Sequence, residues 1–195
     1  MLQGKKASIS EGQELKITKK YGTTGFMYTE YPHKRFWPQD SSQTLFQKAL
    51  CERFSTSEDI PTMLYIHIPY CQQLCWFCTC HISITQDYAK VQAYLKHLYR
   101  EIDCLRQFFE HHELRPHIQE IHLGGGSPTF VEEPEFEELI EKLRSIADVD
   151  HLDEFAIEID PRRVDEKRME FYAEKGINRI SFGIQDFDIR VQEAV

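Results

Sequence analysis

Three cysteines, Cys71, Cys75 and Cys78, follow one another at spacings of four and three residues. Thiolates this near in the chain can converge on one metal centre without help from regular structure. An iron–sulfur cube takes four ligands, so three cysteines would leave one iron free to bind something else. A zinc site that also uses Cys80 or His81 is an alternative, as are a disulfide and a chance cluster of structural thiols. The spacing favours the iron–sulfur cluster.

Polar and glycine residues follow other apolar runs of the chain. Gly124 to Gly126 have no Cβ atoms, so a backbone could approach a ligand closely there, although a tight turn would use the same residues. They do not form a phosphate-binding P-loop, because no Lys-Ser/Thr pair follows them. Glu158 could hold an ammonium group, but both it and Gln185 could equally be ordinary hydrogen-bonded polar residues.

Apolar runs alternate with helical periodicity from residue 63 onward. We predict strands at 63–68, 118–123, 155–159 and 179–183, the second one stopped by the glycines, and helices at 91–109, 136–146, 165–175 and from 188. This order predicts an α/β fold, a partial barrel of about four parallel βα units. The cysteines, the glycines, Glu158 and Gln185 then lie at the carboxyl ends of the strands, where barrel active sites are built.

The chain also divides into two predicted parts. Residues 1–62 are mixed and rich in aromatic side chains, which indicates an N-terminal extension that packs rather than a free tail, with a helix near residues 45–50. Residues 63–195 form the core domain. Because four βα units are half of an eight-unit barrel, we expect the chain to be the N-terminal part of a longer protein.

Composition excludes several classes of protein. The 195 residues carry 23 Lys and Arg against 32 Asp and Glu, a net charge of −9, which argues against nucleic-acid binding. We find no apolar run long enough for a membrane span and no secretory signal, and therefore expect a cytoplasmic protein whose thiols stay reduced.

The cysteine spacing resembles the cluster motif of radical S-adenosylmethionine (radical SAM) enzymes. Its surroundings resemble the oxygen-independent coproporphyrinogen III oxidase family in particular. The resemblance covers residues 20–195 and is carried by the segments 21–32, 65–80, 121–129 (IHLGGGSPT), 157–162 (IEIDPR) and 176–187 (GINRISFGIQDF). The family usually has Thr where Ser127 stands, and residues 28–33 read YTEYPH where it has Tyr-Thr-Ser-Tyr-Pro-Thr.

This resemblance implies a role for individual residues. The implied ligands of a 4Fe–4S cluster are Cys71, Cys75 and Cys78. The implied contacts of a first S-adenosylmethionine are Tyr65, Gly125 and Glu158. The implied contacts of a second S-adenosylmethionine are Phe77, Gly126, Ser127 and Gln185.

The resemblance also implies a reaction. The cluster would reduce S-adenosylmethionine to methionine and a 5′-deoxyadenosyl radical, which takes a hydrogen atom from a propionate of coproporphyrinogen III; two such events, each with loss of carbon dioxide, give protoporphyrinogen IX. An unidentified electron donor is implied as a partner. Alternatives are a related methyltransferase or oxidase acting on another substrate, a heme chaperone, or a zinc-binding module. Cys80 favours the oxidase branch over the chaperones, which usually lack that cysteine.

Overall fold

The computed structural model describes residue 36 and residues 42–55 and 60–193. The described residues from Phe46 onward belong to one compact unit. The helices are α1 (Gln43–Phe54), α2 (Tyr88–His111), α3 (Glu133–Arg144), α4 (Glu166–Glu174) and α5 (Ile189–Gln192). The strands are β1 (Pro61–Ile68), β2 (Tyr70–Cys71), β3 (Ser83–Ile84), β4 (His117–Gly125), β5 (Glu154–Ile159) and β6 (Arg179–Phe182).

Four strands form a parallel sheet in the order β1-β4-β5-β6. The register places Ile66 beside Leu123 and Ile121 beside Phe155. Helices α2, α3 and α4 connect successive strands of this sheet, as crossovers between parallel neighbours require. The predicted α/β fold with four parallel βα units is therefore confirmed, and all four carboxyl ends lie at one edge of the sheet.

The hydrophobic core lies between this sheet and its crossover helices. Strand side chains such as Leu123 and Phe155 are fully buried, and so are Leu95 of α2 and Leu143 of α3. Burying each such side chain contributes about 1.5–3 kcal/mol. This layer fixes the relative position of the strands, and with them the residues that follow each strand.

Capping residues account for the helix boundaries. The Asp87 carboxylate accepts a hydrogen bond from the Ala89 amide at 3.1 Å and begins α2. Asp165 begins α4 in the same way, and Gly176, at φ +91°, follows its end. No helix of the described residues is long and apolar enough to cross a membrane.

One predicted strand boundary is wrong. The strand over 118–123 was expected to stop at the glycines, but β4 continues through Gly124 and Gly125, which pair with His67 and Ile68 of β1. Glycine is permitted in a strand where another group approaches the backbone closely. The predicted division of the chain into an extension, 1–62, and a core domain, 63–195, stays a prediction. The segment 28–33 lies outside the described residues.

Candidate functional site

A cavity of about 960 Å³ opens at the carboxyl edge of the parallel sheet. Nine of the ten predicted site residues line it: Cys71, Cys75, Phe77, Cys78, Gly125, Gly126, Ser127, Glu158 and Gln185. They come from the segment 70–84 after β1, called the cysteine loop below, and from the ends of β4, β5 and β6. The structure therefore gathers onto one surface residues that are more than a hundred positions apart in the chain.

The cysteine loop leaves the sheet directly after β1. Short parallel pairing of β2 with β3 closes its base, where the Thr85 amide donates to the Cys71 carbonyl at 2.9 Å. Near the tip, the Cys78 amide donates to the Cys75 carbonyl at 3.0 Å, which turns the chain between these two cysteines. All six cysteines are free, so no disulfide joins them.

The three thiols fit an iron–sulfur cluster by donor type and position. Burial, followed by the neighbouring Cys78 and Cys75, raises the pKa of Cys71 to about 11, because a thiolate at Cys71 would be desolvated and would face like charges. A bound metal reverses that penalty, since it is held by thiolates. Within the described residues, no three Cys, His, Asp or Glu side chains are already gathered at metal-binding geometry. The sulfur atoms thus share one cavity rather than a finished ligand cage.

Cys80 lies on the same cavity but is the more exposed of the loop thiols. Burial raises its pKa, and the neighbouring Cys78 and Glu158 raise it further. These causes favour the neutral thiol in the metal-free protein.

Each glycine at the end of β4 lies against another group. A Cβ atom on Gly125 would lie 2.6 Å from the imidazole of His67, and one on Gly126 would lie 2.8 Å from the Tyr70 carbonyl oxygen. Gly125 also has φ +114°, a conformation that other residues rarely adopt. The missing Cβ atoms therefore leave room for the His67 ring and the Tyr70 backbone, and both glycines line the cavity.

Glu158 extends from β5 toward the end of β4. One carboxylate oxygen accepts a hydrogen bond from the Gly125 amide at 3.0 Å, and the other lies 3.3 Å from Nε2 of His122. Its side chain is 43% exposed, so the carboxylate is oriented by its neighbours yet still accessible from the cavity. Such a group can accept hydrogen bonds from an ammonium ligand.

Tyr65 is the predicted site residue that does not line the cavity. Its hydroxyl lies 3.1 Å from Nδ1 of His67, and its ring stacks on His122 with centroids 5.7 Å apart. Burial raises the pKa of Tyr65, and the negative charge of Glu158 raises it further. Tyr65 therefore lies next to Glu158 but outside the lining of the cavity, and it is 49% exposed.

Ser127 and Gln185 line the cavity from the segments that follow β4 and β6. Ser127 is buried, and its hydroxyl lies 2.8 Å from that of Thr129 in the turn after β4. Gln185 has φ +68°, and its side-chain amide would collide with a Cβ atom on Gly183. The glycine thus makes room for the Gln185 side chain to fold back toward the end of β6.

Apolar side chains stand exposed around the cavity and beside its loop. Phe77 is 49% exposed and Phe182 is 55% exposed, and both line the cavity. Trp76, in the cysteine loop, is 85% exposed. Exposed aromatic groups next to polar ones are typical of a site that receives a bound molecule.

Sequence reasoning missed three contributors to the site. Arg162 donates to the Cys75 sulfur at 3.2 Å, although 87 residues separate the two. His67 lies within hydrogen-bonding distance of the Tyr65 hydroxyl, and His122 lies beside the Glu158 carboxylate. Arg162 ends the segment IEIDPR, and both histidines interrupt otherwise apolar strands. A polar residue at or near a strand end was therefore the signal in the sequence that could have identified them.

Comparison with known proteins agrees with this geometry. Residues 65–195 match the radical SAM superfamily. Oxygen-independent coproporphyrinogen III oxidase of Pseudomonas aeruginosa is 35% identical over 186 residues, which are 92% of this chain and 38% of that protein. Coproporphyrinogen III oxidase, anaerobic 1, of Cereibacter sphaeroides is 37% identical over 136 residues, which are 70% of this chain and 29% of that protein.

A solved structure gives the same result. Coproporphyrinogen III oxidase from Escherichia coli, described as a radical SAM enzyme, matches with a TM-score of 0.73 and 32% identity, over 86% of this chain and 37% of that one. This chain thus spans well under half the length of the relatives that it matches. The chain belongs to the radical SAM superfamily, and the similar proteins within it are oxygen-independent coproporphyrinogen III oxidases.

Proposed function

We propose that this chain supplies the cluster and S-adenosylmethionine sites of an oxygen-independent coproporphyrinogen III oxidase. The observation that carries the proposal is the cavity itself, which is lined by four thiols (the three predicted ligands and Cys80), a glycine strand end and a partly exposed carboxylate. This combination offers soft ligands for iron together with hydrogen-bonding groups for an amino acid. The names of the relatives supply the reaction and its substrate.

Cys71, Cys75 and Cys78 would hold a 4Fe–4S cluster. Three protein ligands leave one iron with an open position. When bound, the cluster supplies the electron for reductive cleavage of S-adenosylmethionine. The role of the chain is to orient the bound molecule and to keep water and oxygen away from it.

The first S-adenosylmethionine would lie against the end of β4. The Glu158 carboxylate accepts hydrogen bonds from the methionine ammonium group, and the Gly125 backbone lines the same part of the cavity and orients that carboxylate. The Tyr65 ring stacks on His122, which lies beside the Glu158 carboxylate, so Tyr65 helps to position that carboxylate. The three residues thus act together rather than as separate contacts.

A second S-adenosylmethionine would occupy the other side of the cavity. Phe77 offers an aromatic face, while Gly126, Ser127 and Gln185 offer backbone and polar contacts. The substrate is coproporphyrinogen III, and two of its propionates lose carbon dioxide and hydrogen to become vinyl groups. We further propose that the protein works in the cytoplasm with a separate electron donor.

Anaerobic reconstitution with iron and sulfide tests the cluster proposal. We expect the wild-type chain to bind a 4Fe–4S cluster and, with dithionite and S-adenosylmethionine, to release 5′-deoxyadenosine. Cys75→Ala should lose both properties. Cys104→Ala is the matched control, since it removes an exposed free thiol on α2 and should retain both.

Product analysis tests the substrate. Protoporphyrinogen IX formed from coproporphyrinogen III supports the oxidase assignment. Release of 5′-deoxyadenosine without that product would contradict it and favour another radical SAM reaction. A colourless protein that binds stoichiometric zinc instead of iron would contradict the whole proposal.

A further inference from the structure

Arg162 is held beside the cysteine loop by a bidentate carboxylate. Its Nε donates to Oδ1 of Asp160 at 2.8 Å and its Nη2 donates to Oδ2 at 2.9 Å. The Arg162 amide also donates to Oδ1 at 3.0 Å. Asp160 is 19% exposed and follows β5 directly, so the sheet fixes the carboxylate and the carboxylate fixes the guanidinium.

The same Nη2 atom also donates to the Cys75 sulfur at 3.2 Å. Arginine is always charged, so this is a cationic donor directed at a thiol of the cysteine loop. Both residues line the same cavity. A hydrogen bond from a fixed cation favours negative charge on the sulfur atom that accepts it.

We propose that Arg162, fixed by Asp160, is a positioning residue that orients Cys75 as a ligand and raises the reduction potential of the cluster. The inference rests on the proposed function, because it needs the cluster to be present. Hydrogen bonds to the sulfur atoms and nearby charge are among the main determinants of such potentials. One-electron reduction adds negative charge to the cluster and its thiolates, which the guanidinium stabilises.

The chain contains a second copy of this clamp that does not reach a cysteine. Arg190 donates to Asp188 through its amide at 2.9 Å, through Nε at 3.1 Å and through Nη2 at 2.7 Å. Arg190 is 85% exposed and does not line the cavity. Arg190→Gln therefore removes the same local clamp and the same charge away from the thiols, and serves as the matched control.

The test measures iron content and midpoint potential after anaerobic reconstitution with iron and sulfide. At equal iron content, we expect Arg162→Gln to reduce the equilibrium constant for one-electron reduction by about tenfold, a shift of about 59 mV to lower potential. Arg162→Lys should recover part of the shift, because it keeps the charge. Arg190→Gln should leave the potential unchanged, because Arg190 does not line the cavity.

The possible results separate this inference from the proposed function. A wild-type chain without a cluster would overturn both. A wild-type cluster with an unshifted potential in Arg162→Gln, or with equal shifts in Arg162→Gln and Arg190→Gln, would overturn the inference alone. If Arg162→Gln binds no iron, Arg162→Lys decides, and a wild-type potential in Arg162→Lys would overturn the inference.

Discussion

Gly125→Ala is expected to destabilise the protein through two separate effects. Gly125 has φ +114°, so alanine would hold an unfavourable backbone conformation whatever space surrounds it. In addition, its Cβ atom would lie 2.6 Å from the His67 ring. That ring cannot move away freely, because its nitrogens lie 3.1 Å from the Tyr65 hydroxyl and 3.0 Å from the His81 carbonyl oxygen.

The size of the effect follows from these two causes. A strained backbone conformation costs about 1–3 kcal/mol. Forcing extra volume into a packed position costs about another 1–3 kcal/mol. We therefore expect Gly125→Ala to lower the free energy of unfolding by about 2–6 kcal/mol, a large share of the stability of an ordinary domain.

Equilibrium unfolding in urea, followed by circular dichroism, measures this change. Gly176→Ala is the matched control, since Gly176 also has positive φ, +91°, but the nearest atom to its Cβ position is 3.8 Å away. It should lose only the backbone part, about 1–3 kcal/mol. In a His67→Ala background, Gly125→Ala should cost less than in the wild type, because the obstructing ring is gone.

Two results would refute this reasoning. Equal losses in Gly125→Ala and Gly176→Ala would mean that the contact with His67 carries no energy. An unchanged loss in the His67→Ala background would lead to the same conclusion by an independent route.

Three further predictions concern binding, capping and pH. Glu158→Gln keeps an acceptor for the Gly125 amide but loses the charge, so we expect about tenfold weaker binding of S-adenosylmethionine by the reconstituted protein in equilibrium dialysis; unchanged binding would remove Glu158 from the site. Asp87→Ala removes the cap of α2 and should lower the free energy of unfolding by about 1 kcal/mol in urea, whereas no loss would mean that the cap is unimportant. Burial, together with the Glu135 carboxylate, raises the pKa of Tyr88 to about 12, although the Glu132 amide opposes it. Because the folded pKa is raised above the unfolded value of about 10, this contribution to stability is complete below pH 10 and is lost as pH rises through 12; Tyr88→Phe should therefore lose less stability than the wild type over that range.

Short-range patterns in the sequence predicted the strands and helices, whereas the family resemblance named most of the residues that line the cavity. Apolar periodicity is a local property, so it located the four parallel strands and the three crossover helices. Since parallel strands end at one edge, residues that follow them had to meet, and Glu158 and Gln185 do lie on the same cavity as the cysteines. The topology alone brings them together.

Other features depend on contacts that no local pattern encodes. Glycine usually ends a strand, but β4 continues through Gly124 and Gly125. Glycine is needed there because Glu158 and His67 lie too close to the backbone for a Cβ atom. Tyr65 lies outside the cavity lining, where its ring stacks on His122 of the neighbouring strand β4. Arg162 reaches Cys75 only because a turn after β5 directs it there.

The order β1-β4-β5-β6 also bears on how the protein is made. Each strand of the main sheet pairs with the one synthesised just before it, so the sheet can grow from one side as the chain emerges from the ribosome. The cysteine loop is attached to the first of these strands, whereas Glu158 and Gln185 come with the third and the end of the fourth. We therefore expect the thiols to be open to solvent early in folding and enclosed last, which pulse labelling of cysteines during refolding would detect as late protection of Cys71.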